Sequence, residues 1–155
     1  MEQSKENSLA GTTSREIYPM PSFVRLSARD LSESRAWYLH IGFIEIYAMN
    51  GPAGTPIMSH LRWAKYADLM LVQATFSVTS PGDTFTLYFT VERGRVDEIA
   101  KLAKESVLEG PVLQPWNARE VVLRDPNGLL IAFSEQGDTS RSFEDVMSSV
   151  REKLS

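Results

Sequence analysis

The stretch QPWNAREVVLRDPNGLLIAFSEQ, from Gln114 to Gln136, carries the clearest structural pattern in the chain. Two apolar runs, at 120–124 and 129–134, flank the tetrapeptide Asp125 to Gly128. Asp, Pro, Asn and Gly favour tight turns, because each supplies a special backbone angle or a local side-chain hydrogen bond. The stretch therefore predicts a β-hairpin. Asp125 is interpreted as a turn residue that bonds local backbone and not as a catalytic acid.

Composition limits the classes of protein to which the chain can belong. Its 155 residues are 43% hydrophobic and 23% charged, which is typical of one globular domain or a pair of small repeats. A net charge of −4 gives no bulk attraction for nucleic acid or an anionic membrane. The sequence has neither a membrane-length apolar run nor a signal-like N-terminus, so a cytoplasmic protein is expected. Because it has no cysteine, disulfides, thiolate zinc sites and a cysteine nucleophile are excluded.

A β-α-β-β-β pattern begins upstream of the hairpin, in the first half of the chain. Residues 22–28 alternate as a strand, and Asp30 followed by Glu33 has the form of a helix capping box. Gly42 supplies the backbone angle that ends a helix. The apolar face of this predicted helix is Leu31, Trp37, Tyr38 and Ile41. Three strands are then predicted at 43–49, 57–63 and 69–74.

The same order of elements appears again in the second half. A strand is predicted at 84–91 and a helix at 96–108, which Gly110-Pro111 is expected to end. A short strand from Val112 then leads into the hairpin. Repetition of a unit of about 50 residues indicates two tandem modules, at about 21–78 and 83–136. A flexible tail is predicted at 1–20, and an amphipathic helix at 138–155, with the apolar residues Phe143, Val146, Met147 and Val150.

A βαβββ unit covers one face of its sheet with its helix and leaves the other face open. The predicted fold is therefore α+β: two modules form a curved mixed sheet that bears a cleft, with the helices outside and a further C-terminal helix. Each open half-sheet needs a partner, so a homodimer is expected.

Two motifs resemble the vicinal oxygen chelate superfamily, which includes glyoxalase I, extradiol dioxygenases, fosfomycin-resistance enzymes and bleomycin-resistance proteins. The first is DLSESRAWYLHIGF, at 30–43, and the second is REVVLRDPNGLLIAF, at 119–133. The resemblance covers about residues 21–136. The QPWNARE stretch resembles the bleomycin-resistance branch in particular.

The resemblance also implies where a divalent metal would be held. Enzymes of this superfamily use His and Glu side chains on inward strand positions. The corresponding residues here are Phe23, Met70, Thr86 and Ala132. These side chains cannot form a nitrogen and oxygen shell for a divalent cation. We therefore expect no metal and no cofactor.

A set of aromatic and charged residues is predicted to bind a ligand. In bleomycin-resistance proteins, the positions that match Phe43, Tyr47 and Trp116 line the drug groove, although Phe43 could equally be core. Arg62 and Arg119 are either surface charges or anchors for an anionic group. His40 is interpreted as structural, at a helix end. The complete candidate site comprises Phe43, Tyr47, His60, Arg62, Trp63, Trp116 and Arg119.

These residues predict a metal-free protein that sequesters a small hydrophobic or aromatic compound, such as a natural product or an antibiotic. Stacking and cation–π contacts suit a flat and partly cationic ligand. Two alternatives stay open. One is a lyase, isomerase or dioxygenase of the same superfamily with an atypical active site, and the other is a small-molecule sensor or interaction module. Neither nucleic acid nor membrane is an expected partner.

Overall fold

The computed structural model describes residues 13–79 and 84–155, and these residues form eight strands and three α-helices in two successive βαβββ units. A short 3₁₀ turn, Lys104–Ser106, follows the second helix. The elements are β1 (Val24–Ala28), α1 (Leu31–Ile41), β2 (Ile44–Asn50), β3 (Pro56–Ala64), β4 (Ala67–Gln73), β5 (Thr86–Val91), α2 (Arg95–Ala103), β6 (Val107–Leu113), β7 (Ala118–Arg124), β8 (Leu130–Gln136) and α3 (Phe143–Leu154).

Each unit makes its own four-stranded mixed sheet. Sheet 1 has the order β1-β4-β3-β2 and sheet 2 has the order β5-β8-β7-β6. The first strand of each unit pairs with the fourth in parallel, and the other pairs are antiparallel. The predicted α+β fold, with two βαβββ modules and a C-terminal helix, is therefore confirmed.

The helix-covered faces of the two sheets share one hydrophobic core. Successive side chains of β3 point to opposite faces of the sheet, so that Leu61 and Trp63 face the core and His60 and Arg62 point to the opposite face. Both modules contribute rings to an aromatic cluster in which neighbouring centroids are 4.8–6.5 Å apart. Its members are Phe43, Trp63, Phe89 and Phe133.

The turn between β7 and β8 also joins the modules. Asp125 Oδ1 accepts hydrogen bonds from the backbone of Asn127 and Leu129, as the sequence predicts for a turn residue. Its Oδ2 accepts from the Tyr38 hydroxyl of α1 at 2.7 Å. The Asn127 amide donates to the Ser34 hydroxyl of the same helix. Burial raises the pKa of the Asp125 carboxyl above its ordinary value. The turn is therefore docked on the first module.

The second helix is shorter than predicted. α2 ends at Ala103 and not at Leu108, and β6 begins at Val107, so that Gly110-Pro111 lies inside a strand. Gly110 has φ 81°, and a Cβ on it would lie 2.4 Å from the carbonyl oxygen of Glu120. The register between β6 and β7 shifts at this point. The glycine therefore marks a bulge that lets two strands approach closely, and it does not stop a helix.

The other strand boundaries agree with the prediction to within two residues. α3 starts at Phe143, five residues after the predicted position 138, because the Ser142 side chain caps it by accepting from Asp145 N. None of the α3 residues is buried. No helix of the described residues is long and apolar enough to cross a membrane.

Candidate functional site

Each sheet has a face that no helix of its module covers, which we call its open face. On sheet 1 the cross-strand pairs place Tyr47 beside His60, and His60 beside Met70. On sheet 2 they place Tyr88 beside Ala132, and Ser134 beside Glu120. These open faces are the candidate surfaces for binding a ligand.

A groove of about 510 Å³ lies where the two sheets meet. Sheet 1 lines it with Val24 and Asp68, and Phe23 lies at the same wall, just before β1. Sheet 2 lines it with Tyr88 and Thr90. Phe23 and Tyr88 are 52% and 58% exposed, so both rings are accessible to a ligand. The groove is the candidate binding cleft, and Tyr47, His60 and Trp116 lie outside its lining.

The residues at the superfamily's metal positions do not fit a divalent cation. Phe23 offers only a ring, Met70 a thioether and Ala132 a fully buried methyl group. Thr86 has a hydroxyl, but it pairs with Leu130, whereas Ala132 pairs with Tyr88. No group of three or more His, Asp or Glu side chains in residues 13–79 and 84–155 is placed to hold a metal ion. These donors therefore do not fit the metal shell that the resemblance implies.

Sheet 2 presents an acidic group between aromatic rings. Trp116 is 46% exposed, and its Nε1 donates to Glu120 Oε2 at 3.2 Å. Glu120 is only 3% exposed, and no Lys or Arg among the described residues forms an ion pair with it. Burial raises the pKa of the Tyr88 hydroxyl, and the Glu120 and Glu109 carboxylates raise it further. This part of the face can therefore attract a cation through charge and π contacts.

Sheet 1 carries a buried charge network. The Arg62 guanidinium, 1% exposed, donates from Nε to Asp68 Oδ1 at 2.7 Å and from Nη2 to Oδ2 at 2.9 Å. The hydrogen bond with Asp68 raises the pKa of Arg62. His60 Nε2 lies 2.7 Å from the same Oδ2. The Arg62 guanidinium and the His60 ring thus share the Asp68 carboxylate on this face.

The N-terminal strap, which we define as residues 13–18, closes over this network. Arg62 Nη1 donates to the carbonyl oxygens of Ser14 and Glu16, both at 2.8 Å. The guanidinium carbon lies 4.2 Å from the centroid of the Tyr18 ring. The Thr13 hydroxyl donates to the Trp63 carbonyl at 3.0 Å. Residues 13–18 of the tail predicted at 1–20 make these contacts, and residues 1–12 lie outside the described part.

The predicted site residues separate into two groups. Tyr47, His60 and Trp116 lie on the open faces. The other four make different contacts: Phe43 and Trp63 belong to the buried aromatic cluster, Arg62 is bound to Asp68, and Arg119 donates to Asp97 of α2 at 2.7 Å. Of the seven predicted residues, Trp63 alone lines the groove. The structure therefore does not bring all seven together.

Several residues of the site were missed from the sequence. Phe23 was considered only as a lost metal ligand, but it walls the groove. Tyr88 could have been found, because TFTLYFTV alternates and places Thr86, Tyr88 and Thr90 on one face. Glu120 and Asp68 gave no such signal, since a carboxylate on a strand is ordinarily a solvated charge.

No family model matches the sequence, and no curated protein matches it. The fold, in contrast, is shared with many solved structures. A glyoxalase/bleomycin resistance protein/dioxygenase family enzyme from Burkholderia phytofirmans PsJN has a TM-score of 0.62 at 23% identity, over 76% of this chain and 99% of that chain. A glyoxalase/dioxygenase from Nostoc punctiforme has a TM-score of 0.59 at 17% identity, over 79% and 100%.

The fosfomycin resistance protein FosX from Listeria monocytogenes also shares the fold, with a TM-score of 0.60 at 15% identity, over 79% of this chain and 97% of that chain. A mutant of FosX was solved with Mn(II) and 1S,2S-dihydroxypropylphosphonic acid. The class that the architecture defines is therefore the vicinal oxygen chelate fold. Identities this low establish the fold and not the activity.

Proposed function

We propose that this chain is a metal-independent member of the glyoxalase/bleomycin resistance/dioxygenase superfamily that binds a small aromatic molecule and acts by sequestration. The observation that carries the proposal is the combination at the open faces: no metal shell at the superfamily's positions, and exposed rings at Phe23, Tyr47, Tyr88 and Trp116. Affinity alone would remove the free compound, without a change in any bond. A cytoplasmic location and a role in antibiotic resistance are parts of the same proposal.

The ligand class follows from the charge of sheet 2. Glu120 is nearly buried, is an acceptor for Trp116 and has no cationic partner among the described residues. A buried carboxylate is stabilised by a cation that approaches it, and rings of Trp and Tyr bind cations through their faces. We therefore propose a flat aromatic ligand that carries an amine or another cationic group.

Removal of the Trp116 ring tests the proposed site. A thermal-shift screen of flat cationic aromatic compounds, with 9-aminoacridine as the first probe, is expected to show stabilisation of the wild type. Loss of a stacking ring removes about 1–3 kcal/mol. Trp116→Ala is therefore expected to weaken 9-aminoacridine binding by roughly 5- to 150-fold, measured by fluorescence titration.

Two comparisons give this test its controls. Phe143→Ala removes another exposed ring, on α3, and is expected to leave the affinity unchanged. The same thermal-shift screen is run with Mn(II), Zn(II), Ni(II) and Fe(II). Stabilisation by a divalent metal, with none by aromatic compounds, would replace the binding proposal by the enzyme alternative with an atypical active site.

We also propose that the protein is a homodimer. Outside the proposed ligand site, strand β6 and helix α3 expose large apolar side chains, and burial of such surfaces drives stable association. These exposed residues include Leu108, Val112, Leu113 and Phe143. We expect a dimer that buries upwards of about 2,000 Å², and light scattering at low micromolar concentration measures it. A monodisperse species at the chain mass of 17.4 kDa would contradict the proposal.

A further inference from the structure

The hydrogen-bond geometry indicates the tautomer of the neutral His60 ring. Asp68 Oδ2 lies 2.7 Å from His60 Nε2, and both Asp68 oxygens accept hydrogen bonds from Arg62. An ionised carboxylate can only accept. We therefore infer that His60 Nε2 is the donor in its hydrogen bond with Asp68. In the neutral imidazole only one nitrogen carries hydrogen, so Nδ1 is left as an acceptor.

The acceptor atom Nδ1 is free on the open face of sheet 1. Within residues 13–79 and 84–155, Asp68 is the sole hydrogen-bond partner of the His60 ring. No buried side-chain nitrogen or oxygen of the described residues lacks a hydrogen-bond partner. Nδ1 is therefore accessible to solvent, and the His60 side chain as a whole is 19% exposed.

The surroundings of His60 suit the ring of a ligand. Tyr47 is its cross-strand neighbour on β2, and Met70 is its neighbour on β4. Met58 precedes it on the same face of β3 and is also partly exposed. The Tyr47 ring and two thioethers thus flank the acceptor atom Nδ1 of His60. Thioethers adapt to the shape of a ring and make favourable contacts with it.

We propose that His60 Nδ1 is a preset binding site for the acidic hydroxyl, a phenol or an enol, of an aromatic ligand. The ligand O–H donates to Nδ1 while its ring contacts Tyr47 and the methionines. Asp68 and Arg62 act as positioning residues that hold the imidazole tautomer. The N-terminal strap supports them, since the Ser14 and Glu16 carbonyls occupy Arg62 Nη1. This inference rests on the proposed binding function and specifies a chemical group that the ligand must carry.

The test compares two ligands with the same ring, one with a phenolic hydroxyl and the other with a methyl group in place of the hydroxyl hydrogen. 4-Nitrophenol can donate to Nδ1, whereas 4-nitroanisole has the same ring and a methyl ether. By titration calorimetry, the wild type is expected to prefer 4-nitrophenol by roughly tenfold, the effect of one hydrogen bond. His60→Phe keeps an aromatic ring and removes both ring nitrogens, and the preference is expected to fall to about one. His40→Phe is the matched control, since His40 contacts the Leu102 carbonyl and not the open face, and it keeps the preference.

Nitrogen-15 NMR of the wild type supplies a readout that depends on no variant. In the neutral ring of His60, Nε2 is expected to carry hydrogen and Nδ1 none, and addition of 4-nitrophenol is expected to shift Nδ1 in particular. A proton on Nδ1 in the neutral ring would overturn the proposal, as would failure of both compounds to bind. Equal affinity of the wild type for both compounds, or a preference retained in His60→Phe, would also overturn it. Equal affinity would still leave aromatic binding, and with it the proposed function, intact.

Discussion

Trp63→Ala is expected to lower the free energy of unfolding by about 3–5 kcal/mol. Trp63 is 2% exposed, and its ring contacts Phe43, Phe89 and Phe133, which come from both modules. Its removal leaves a cavity where the two sheets share their core, and the surrounding rings cannot fill it completely. Urea denaturation measures the loss as a lower midpoint at an unchanged slope.

Trp116→Ala is the matched control for this measurement, because it removes the same side chain from a position that is 46% exposed. We expect it to cost clearly less stability than Trp63→Ala and to affect ligand binding instead. The opposite order, with Trp116→Ala the more destabilising change, would mean that Trp116 belongs to a core and not to a wall. The drug-groove interpretation of the QPWNARE stretch would then fail.

Asp68→Ala is expected to destabilise the fold by about 3–5 kcal/mol, because it leaves the Arg62 charge buried without its partner. The Arg62 and Asp68 side chains are each 1% exposed, so the substitution removes two short hydrogen bonds from a buried guanidinium. Thermal and urea unfolding measure the loss. Because the pair is buried, added salt is expected to change the result little.

Asp97→Ala is the control for this second prediction. Asp97 is also paired with an arginine, Arg119, at 2.7 Å, but these side chains are 51% and 37% exposed. An exposed pair contributes about 0–1 kcal/mol, and salt screens it. Equal losses for Asp68→Ala and Asp97→Ala would show that the network under the strap is solvated. The fixed tautomer of His60 would then lose its physical basis.

The order of elements was predictable because it depends on local signals. The Asp30 cap, the Gly42 helix end and the turn at 125–128 each act within a few residues, and all three lie where they were predicted. The second helix was predicted too long because Val96, Ile99 and Ala103 continue into Val107 with helical spacing. The strand partner β7 prevails there, since pairing with it satisfies the backbone from Val107 onwards.

The candidate site was only partly predictable. Alternation along β3 separates His60 and Arg62 from Leu61 and Trp63, but it does not tell which set meets a second layer. Trp63 was therefore placed with the ligand-binding residues, although it faces the core. Arg119 was placed there for its charge, and its partner Asp97 lies on a helix 22 residues away in sequence.

The sequence by itself determined the two βαβββ units and the cap and turn chemistry, and it has Phe23, Met70, Thr86 and Ala132 at the positions where the resemblance implies metal ligands. Tertiary structure alone decided which aromatic rings are buried in the core and which are exposed at the candidate site. It also decided that the strap holds Arg62 across 46 to 48 positions of the chain, and that Asp68 lies within hydrogen-bond distance of His60. The physical reason is one of range. Turns and caps are closed by backbone groups a few residues apart, whereas burial and charge pairing depend on which distant surfaces meet.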